Sequence, residues 1–181
     1  MKARSQPEGS RDASQMSAVD WRRVVATYLE EHPQARVGEL SRALGCTEAQ
    51  ALSGLSERVW DLRGVELATL LAEIAAWGKV LVLVRNADAV AEVEVSADAG
   101  SLKGEWLNWI EQGYNLHIYL AATQRVLGLV RPGKHGLTYS FNLVNSAGQV
   151  FCRFYARTPE AKESFLSFCL AHTPELDERY G

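Results

Sequence analysis

At Gly78 the spacing of apolar residues changes period, and this change narrows the folds open to the chain more than any other feature. Before it, Leu67, Leu70, Leu71, Ile74 and Ala75 recur at helical intervals, and Trp77-Gly78 closes the run with a glycine suited to a left-handed cap. After it, residues 79–84 form a continuous apolar, β-branched run and residues 89–95 alternate, with Asn86-Ala87-Asp88 as the turn between them. Further strands are predicted over residues 102–109, 114–120, 125–131, 137–144 and 149–157. Connections such as Asn145-Ser146-Ala147-Gly148 are too short for parallel crossovers, so the strands pair antiparallel.

Helices flank these strands. Asp20 is placed to cap a helix from Trp21 that ends near His32-Pro33, and residues 37–44 make a second helix stopped by Gly45. Thr47 with Gln50 forms a capping box for a third, to about Leu55. Pro159 opens a last helix that turns Ala161, Phe165, Phe168 and Cys169 toward the sheet. An N-terminal helical cluster, an antiparallel sheet and a C-terminal helix make the fold class α+β. The expected organisation is a disordered polar tail at residues 1–17 and a single domain over 18–174, followed by a short tail at 175–181. Within the domain, residues 18–57 are a helical subregion, and residues 66–173 carry the helix, sheet and closing helix.

The 181 residues are 47% apolar and 23% charged, with a formal net charge of -3, which suits a globular chain and disfavours a nucleic-acid binder. Residues 37–55 imitate a helix-turn-helix, but the second helix has no Lys or Arg for phosphate or guanine contacts. Cys46, Cys152 and Cys169 have no paired spacing, so neither a disulfide framework nor a zinc site is expected. No segment has the pattern of a signal peptide or a membrane span, and the expected compartment is the cytoplasm. No catalytic triad or phosphate loop is recognisable, so no catalytic residue is assigned.

The stretch from Gly104 to Leu120 carries the chemistry. Alternation puts Tyr114, Leu116, Ile118 and Leu120 on one face of a strand and Asn115, His117 and Tyr119 on the other, close to Trp106 and Trp109. His117, turned from the core, can meet a metal ion or bond a ligand, or be an ordinary surface histidine; two nearby indoles suggest a flat apolar ligand, though core packing also accounts for them. On the last strand, Arg153, Tyr155 and Arg157 share a face, which suits carboxylates or a solvated surface. Arg131, Lys134 and His135 flank a turn at Pro132-Gly133. Trp21, Trp60 and Trp77 sit at helical spacings or helix ends and are expected to pack in the core.

Several of these stretches together resemble bacterial hemin-transport proteins of the HemS type. The Trp106-Leu107-Asn108 segment running into Asn115-Leu116-His117-Ile118 is similar to the second HemS-type repeat, as are the basic hairpin at residues 128–136 and the closing Phe154-Tyr155-Ala156-Arg157-Thr158. His32-Pro33, Leu44-Gly45-Cys46-Thr47 and Trp77-Gly78-Lys79-Val80 resemble the start of such a repeat, so the likeness spans residues 19–171. One repeat fits this length, as in the single-repeat cytosolic haem carriers of the ChuX and HutX type. Two positions depart from the pattern: Arg85 stands where those carriers commonly have a histidine, and Ala156 where glycine is preferred.

The resemblance implies haem (iron protoporphyrin IX) as cofactor, with His117 as the iron ligand. It makes Tyr155 and Arg157 distal-side residues and Arg131 or Lys134 a propionate contact; Arg153, Tyr119 and Arg85 complete the expected site. It further implies a homodimer in the cytoplasm, working in haem uptake, trafficking or storage with a haem-donor or haem-acceptor protein, without nucleic acid or membrane partners. Haem degradation with iron release, or an interaction module that has lost the ligand, are the alternatives.

Overall fold

The computed structural model describes residues 18–33, 35–55, 58–86 and 88–173, so both expected tails lie outside the described residues. The chain divides into two compact units, Met1–Ser56 and Glu57–Gly181.

The first unit holds α1 (Ala18–Glu31), α2 (Val37–Leu44) and α3 (Glu48–Ser53). Trp21, Val25, Leu40, Ala51 and Leu52 are among its buried side chains. Close approach of α1 depends on Gly54, where a Cβ would lie 2.6 Å from Val25 Cγ2 and 2.7 Å from Trp21 O. The capping box forms as the sequence predicts: Gln50 N donates to Thr47 Oγ1 (3.2 Å), and Thr47 N donates to Gln50 Oε1 (2.9 Å). Asp20 is not the cap. The helix already runs at Ala18, and Asp20 lies in its first turn, 3.2 Å from the Arg23 guanidinium.

In the second unit, β1 (Val59–Asp61) and α4 (Leu67–Ala75) precede β2 (Lys79–Arg85) and β3 (Val90–Ser96). Then follow β4 (Ser101–Lys103), β5 (Trp106–Glu111) and β6 (Tyr114–Tyr119), and after them β7 (Arg125–Gly133), β8 (Gly136–Val144), β9 (Val150–Ala156) and α5 (Pro159–His172). Six strands form one sheet in the order β1-β7-β8-β9-β2-β3, and β4-β5-β6 form another. Every pairing in both is antiparallel.

One face of the large sheet carries the core. Phe165 of α5 packs on Phe141 (4.8 Å between ring centroids), Trp60 and Tyr139 (5.9 Å each). The helix comes close over Gly128, where a Cβ would lie 2.6 Å from Cys169 Sγ. Burial holds that thiol far from ionisation, pushed up to about 12. Glu73 ties α4 to α5 by accepting from Trp77 Nε1 and Ser164 Oγ. The small sheet lays Leu107, Trp109, Leu116 and Ile118 on the same core, with Trp109 6.3 Å from Phe154.

Three expectations need correction. Trp60 belongs to β1, a strand of three residues in which alternation has no length to show itself. The strand expected over residues 102–109 is two strands, because Gly104 at φ 60 turns the chain between them. The last strand ends at Ala156, which leaves Arg157 beyond it.

Candidate functional site

Because Leu116 and Ile118 face the core, His117 and Tyr119 stand exposed on the outer face of the small sheet. The two-residue turn Gln112-Gly113, with Gly113 at φ 108, fixes the register of the β5–β6 hairpin. That register sets Asn108 opposite His117 and Trp106 opposite Tyr119, and β4 adds Lys103 beside Trp106. Lys103, Trp106, Asn108 and His117 line a shallow depression of about 500 Å³. Trp106 is 45% exposed and its ring lies 5.0 Å from that of Tyr119. The Tyr119 hydroxyl donates to Glu105 Oε2 (3.0 Å), and this carboxylate raises the phenol's pKa.

Asn108 decides which nitrogen His117 offers. It is nearly buried at 9% exposure, and its Nδ2 donates to Trp106 O (3.0 Å) and Ser101 O (3.3 Å). Two carbonyl acceptors leave no choice of amide orientation, so Oδ1 is the atom 2.6 Å from His117 Nδ1. An acceptor there requires the proton on Nδ1. Nε2 of the neutral ring therefore keeps its lone pair, the form that ligates a metal.

The arginines lie elsewhere. Cross-strand pairs run Asp61, Leu127, Asn142, Arg153, Leu83 and, one row over, Val59, Leu129, Ser140, Tyr155, Leu81. This is the face of the large sheet turned away from α4, α5 and the small sheet. Arg85 and Arg131 fall on it by alternation, Arg157 is exposed one residue past β9, and Lys134 sits at the tip of the β7–β8 hairpin. His117 and Tyr119 come together as expected. They do not meet Arg85, Arg131, Arg153 or Tyr155 within one copy, because the shared core lies between the two faces.

A model of the family described as Haem utilisation ChuX/HutX matches residues 60–168, the span from β1 into α5. The chain belongs to that family. No curated protein matches the sequence. Among solved structures, the crystal structure of ChuX is 16% identical, with 81% of this chain and 96% of that chain covered at a TM-score of 0.66. Holo-PhuS, a heme-binding protein from Pseudomonas aeruginosa, is 18% identical over 90% of this chain and 48% of its own, at 0.73. The heme degrading enzyme ChuS from Escherichia coli O157:H7 is 17% identical over 86% and 46%, at 0.71. The ChuX/HutX fold is thus the one described above, and haem is the cofactor of this family.

Sequence reading missed the part Asn108 plays. The signal was present: a polar residue inside the apolar run Leu107 to Ile110, placed opposite the histidine once the hairpin turn is counted. It also missed Asn142, fully buried in the middle of the large sheet.

Proposed function

We propose that this chain binds haem on the outer face of the small sheet and acts as a cytoplasmic carrier in haem uptake, trafficking or storage. The carrying observation is the Asn108–His117 hydrogen bond, which prepares Nε2 as an axial ligand and holds the ring still. Trp106 and Tyr119 offer aromatic surface to the porphyrin, and the Lys103 ammonium is placed to meet a propionate. An open depression suits a cargo that must leave again better than an enclosed cavity does. Ile110 at 70% exposure extends the apolar surface around the site, and a second copy of the chain is the proposed cover, giving a homodimer. A haem-donor or haem-acceptor protein is the further proposed partner. No described helix is long and apolar enough to cross a membrane.

Titration with hemin followed by ascorbate tests this reading. A carrier gives a saturable Soret shift that survives the reductant. Loss of the Soret band with release of iron would make the chain a haem-degrading protein, and no shift would make it an interaction module.

A further inference from the structure

Two long strand edges carry backbone groups that no other strand takes up among the described residues, β3 in the large sheet and β6 in the small one. In β3, Asn86 N donates to Ala89 O (3.0 Å) and Ala97 N to Gly78 O (2.6 Å). These bonds fix the ladder with β2 so that Val90, Glu92 and Glu94 turn N–H and C=O outward. In β6, Leu120 N donates to Glu105 O (2.8 Å), one pair beyond Trp106 and Tyr119. By the same alternation Leu116 and Ile118 bond to β5, and the outward groups belong to Asn115, His117 and Tyr119.

The two edges are guarded differently. Every antiparallel register that overlaps two copies of β3 by more than three residues sets Glu92 or Glu94 directly against a glutamate of the other copy, and like charges so placed repel. At the far end of β3 the Ser96 carbonyl is already taken by Trp109 Nε1 (2.9 Å). The β6 strand, Tyr114 to Tyr119, has no acidic residue, lysine, arginine or proline, and no bulge interrupts its pairing with β5. An open edge of that composition is a template for another strand.

We infer that a second copy of the chain pairs with the first edge to edge, β6 against β6 and antiparallel, so that the two small sheets become one continuous sheet. This pairing rests on the homodimer proposed above and specifies its interface. The longest registers that keep matching faces together centre on Leu116 or on His117. On the inner face they set Leu116 against Leu116 or Ile118 of the second copy, and no like charges are opposed. On the outer face His117 meets Asn115 or His117 of the second copy, at the roughly 5 Å of a cross-strand pair. The second copy thereby adds a polar side chain beside His117 and closes the depression along its β6 side.

Amide hydrogen exchange in the full-length, ligand-free protein tests this, with light scattering to follow the mass across a dilution series. The amides of Asn115, His117 and Tyr119 are expected to exchange roughly tenfold or more slowly in the dimer than after dilution to monomer, while those of Val90, Glu92 and Glu94 stay fast throughout. Asn115→Pro removes one outward N–H that the ladder with β5 does not use, and should weaken the dimer by about tenfold or more; Glu92→Pro, the same change on the other edge, should leave it intact. A dimer whose β6 amides stay unprotected overturns the edge pairing and leaves the homodimer standing, and so does an Asn115→Pro protein that dimerises as tightly as the unaltered one. Protection of the β3 amides instead moves the interface there and overturns it too. A monomer at every concentration overturns both. Should Asn115→Pro fail to fold, the exchange comparison on the unaltered protein decides alone.

Discussion

His117 and Arg153 each point from the middle of a strand away from the same core, and their surroundings differ in kind. His117 stands in the open, with its inner nitrogen held by a nearly buried amide and its outer nitrogen facing a shallow depression. Arg153 has its binding edge buried and unheld, opposite an amide whose free oxygen is unheld too. The first arrangement is finished, and the second leaves polar atoms without a partner. Preorganisation of the first kind aims a single bond at a metal. The second spends folding stability on unpaired groups.

Substitutions can break this contrast in order of size. His117→Ala is expected to weaken hemin binding by roughly a hundredfold or more and change the Soret maximum, since it removes the ligand itself. Visible titration checks this, and an unchanged spectrum would move the iron elsewhere. Asn108→Leu is the sharper probe: it keeps the imidazole but frees its tautomer, and a loss of about 10- to 100-fold is expected with the melting temperature followed alongside. Hemin affinity equal to that of the unaltered protein would reduce Asn108 to a turn-stabilising residue.

The other face should behave in the opposite sense. Arg153→Met removes two buried, unpaired guanidinium nitrogens from a half-exposed side chain and should stabilise the protein or leave it unchanged, by about 0 to 2 kcal/mol, while hemin affinity stays put. Chemical denaturation measures the first and the Soret titration the second. Destabilisation by several kcal/mol would mean that the guanidinium is structurally paired. Arg157→Glu is the smallest expected effect, within about 0.5 kcal/mol of stability and without change in hemin binding, because the side chain is exposed beyond the strand end and away from His117. A tenfold loss of hemin affinity in this variant would bring the arginine face back into the haem site.

Much of this was legible before any coordinates. The period change at Gly78, the short turns and the capping box at Thr47 gave α+β with antiparallel pairing, since each is a local signal. Alternation correctly turned His117 and Tyr119 outward and Cys152 and Phe154 inward. Alternation says which side of its own strand a residue takes, and nothing about which side of another sheet that becomes. Residues 114–119 and 150–156 belong to different sheets that share one core, so two outward faces that read alike in sequence point in opposite directions. The β1 strand escaped for a simpler reason: three residues are too few for a period, and its pairing with β7 is a contact across more than sixty positions.

The most direct test compares the two faces in one spectrum. Hemin iron is paramagnetic, and its broadening of a nuclear resonance falls with the inverse sixth power of distance, so a 15N spectrum recorded during titration reports where the iron sits. The expected result is that the His117 ring and the Trp106 indole N–H bleach first while the Arg153 Nε–H stays sharp. Bleaching of Arg153 with His117 intact would contradict the account and place the haem on the arginine face.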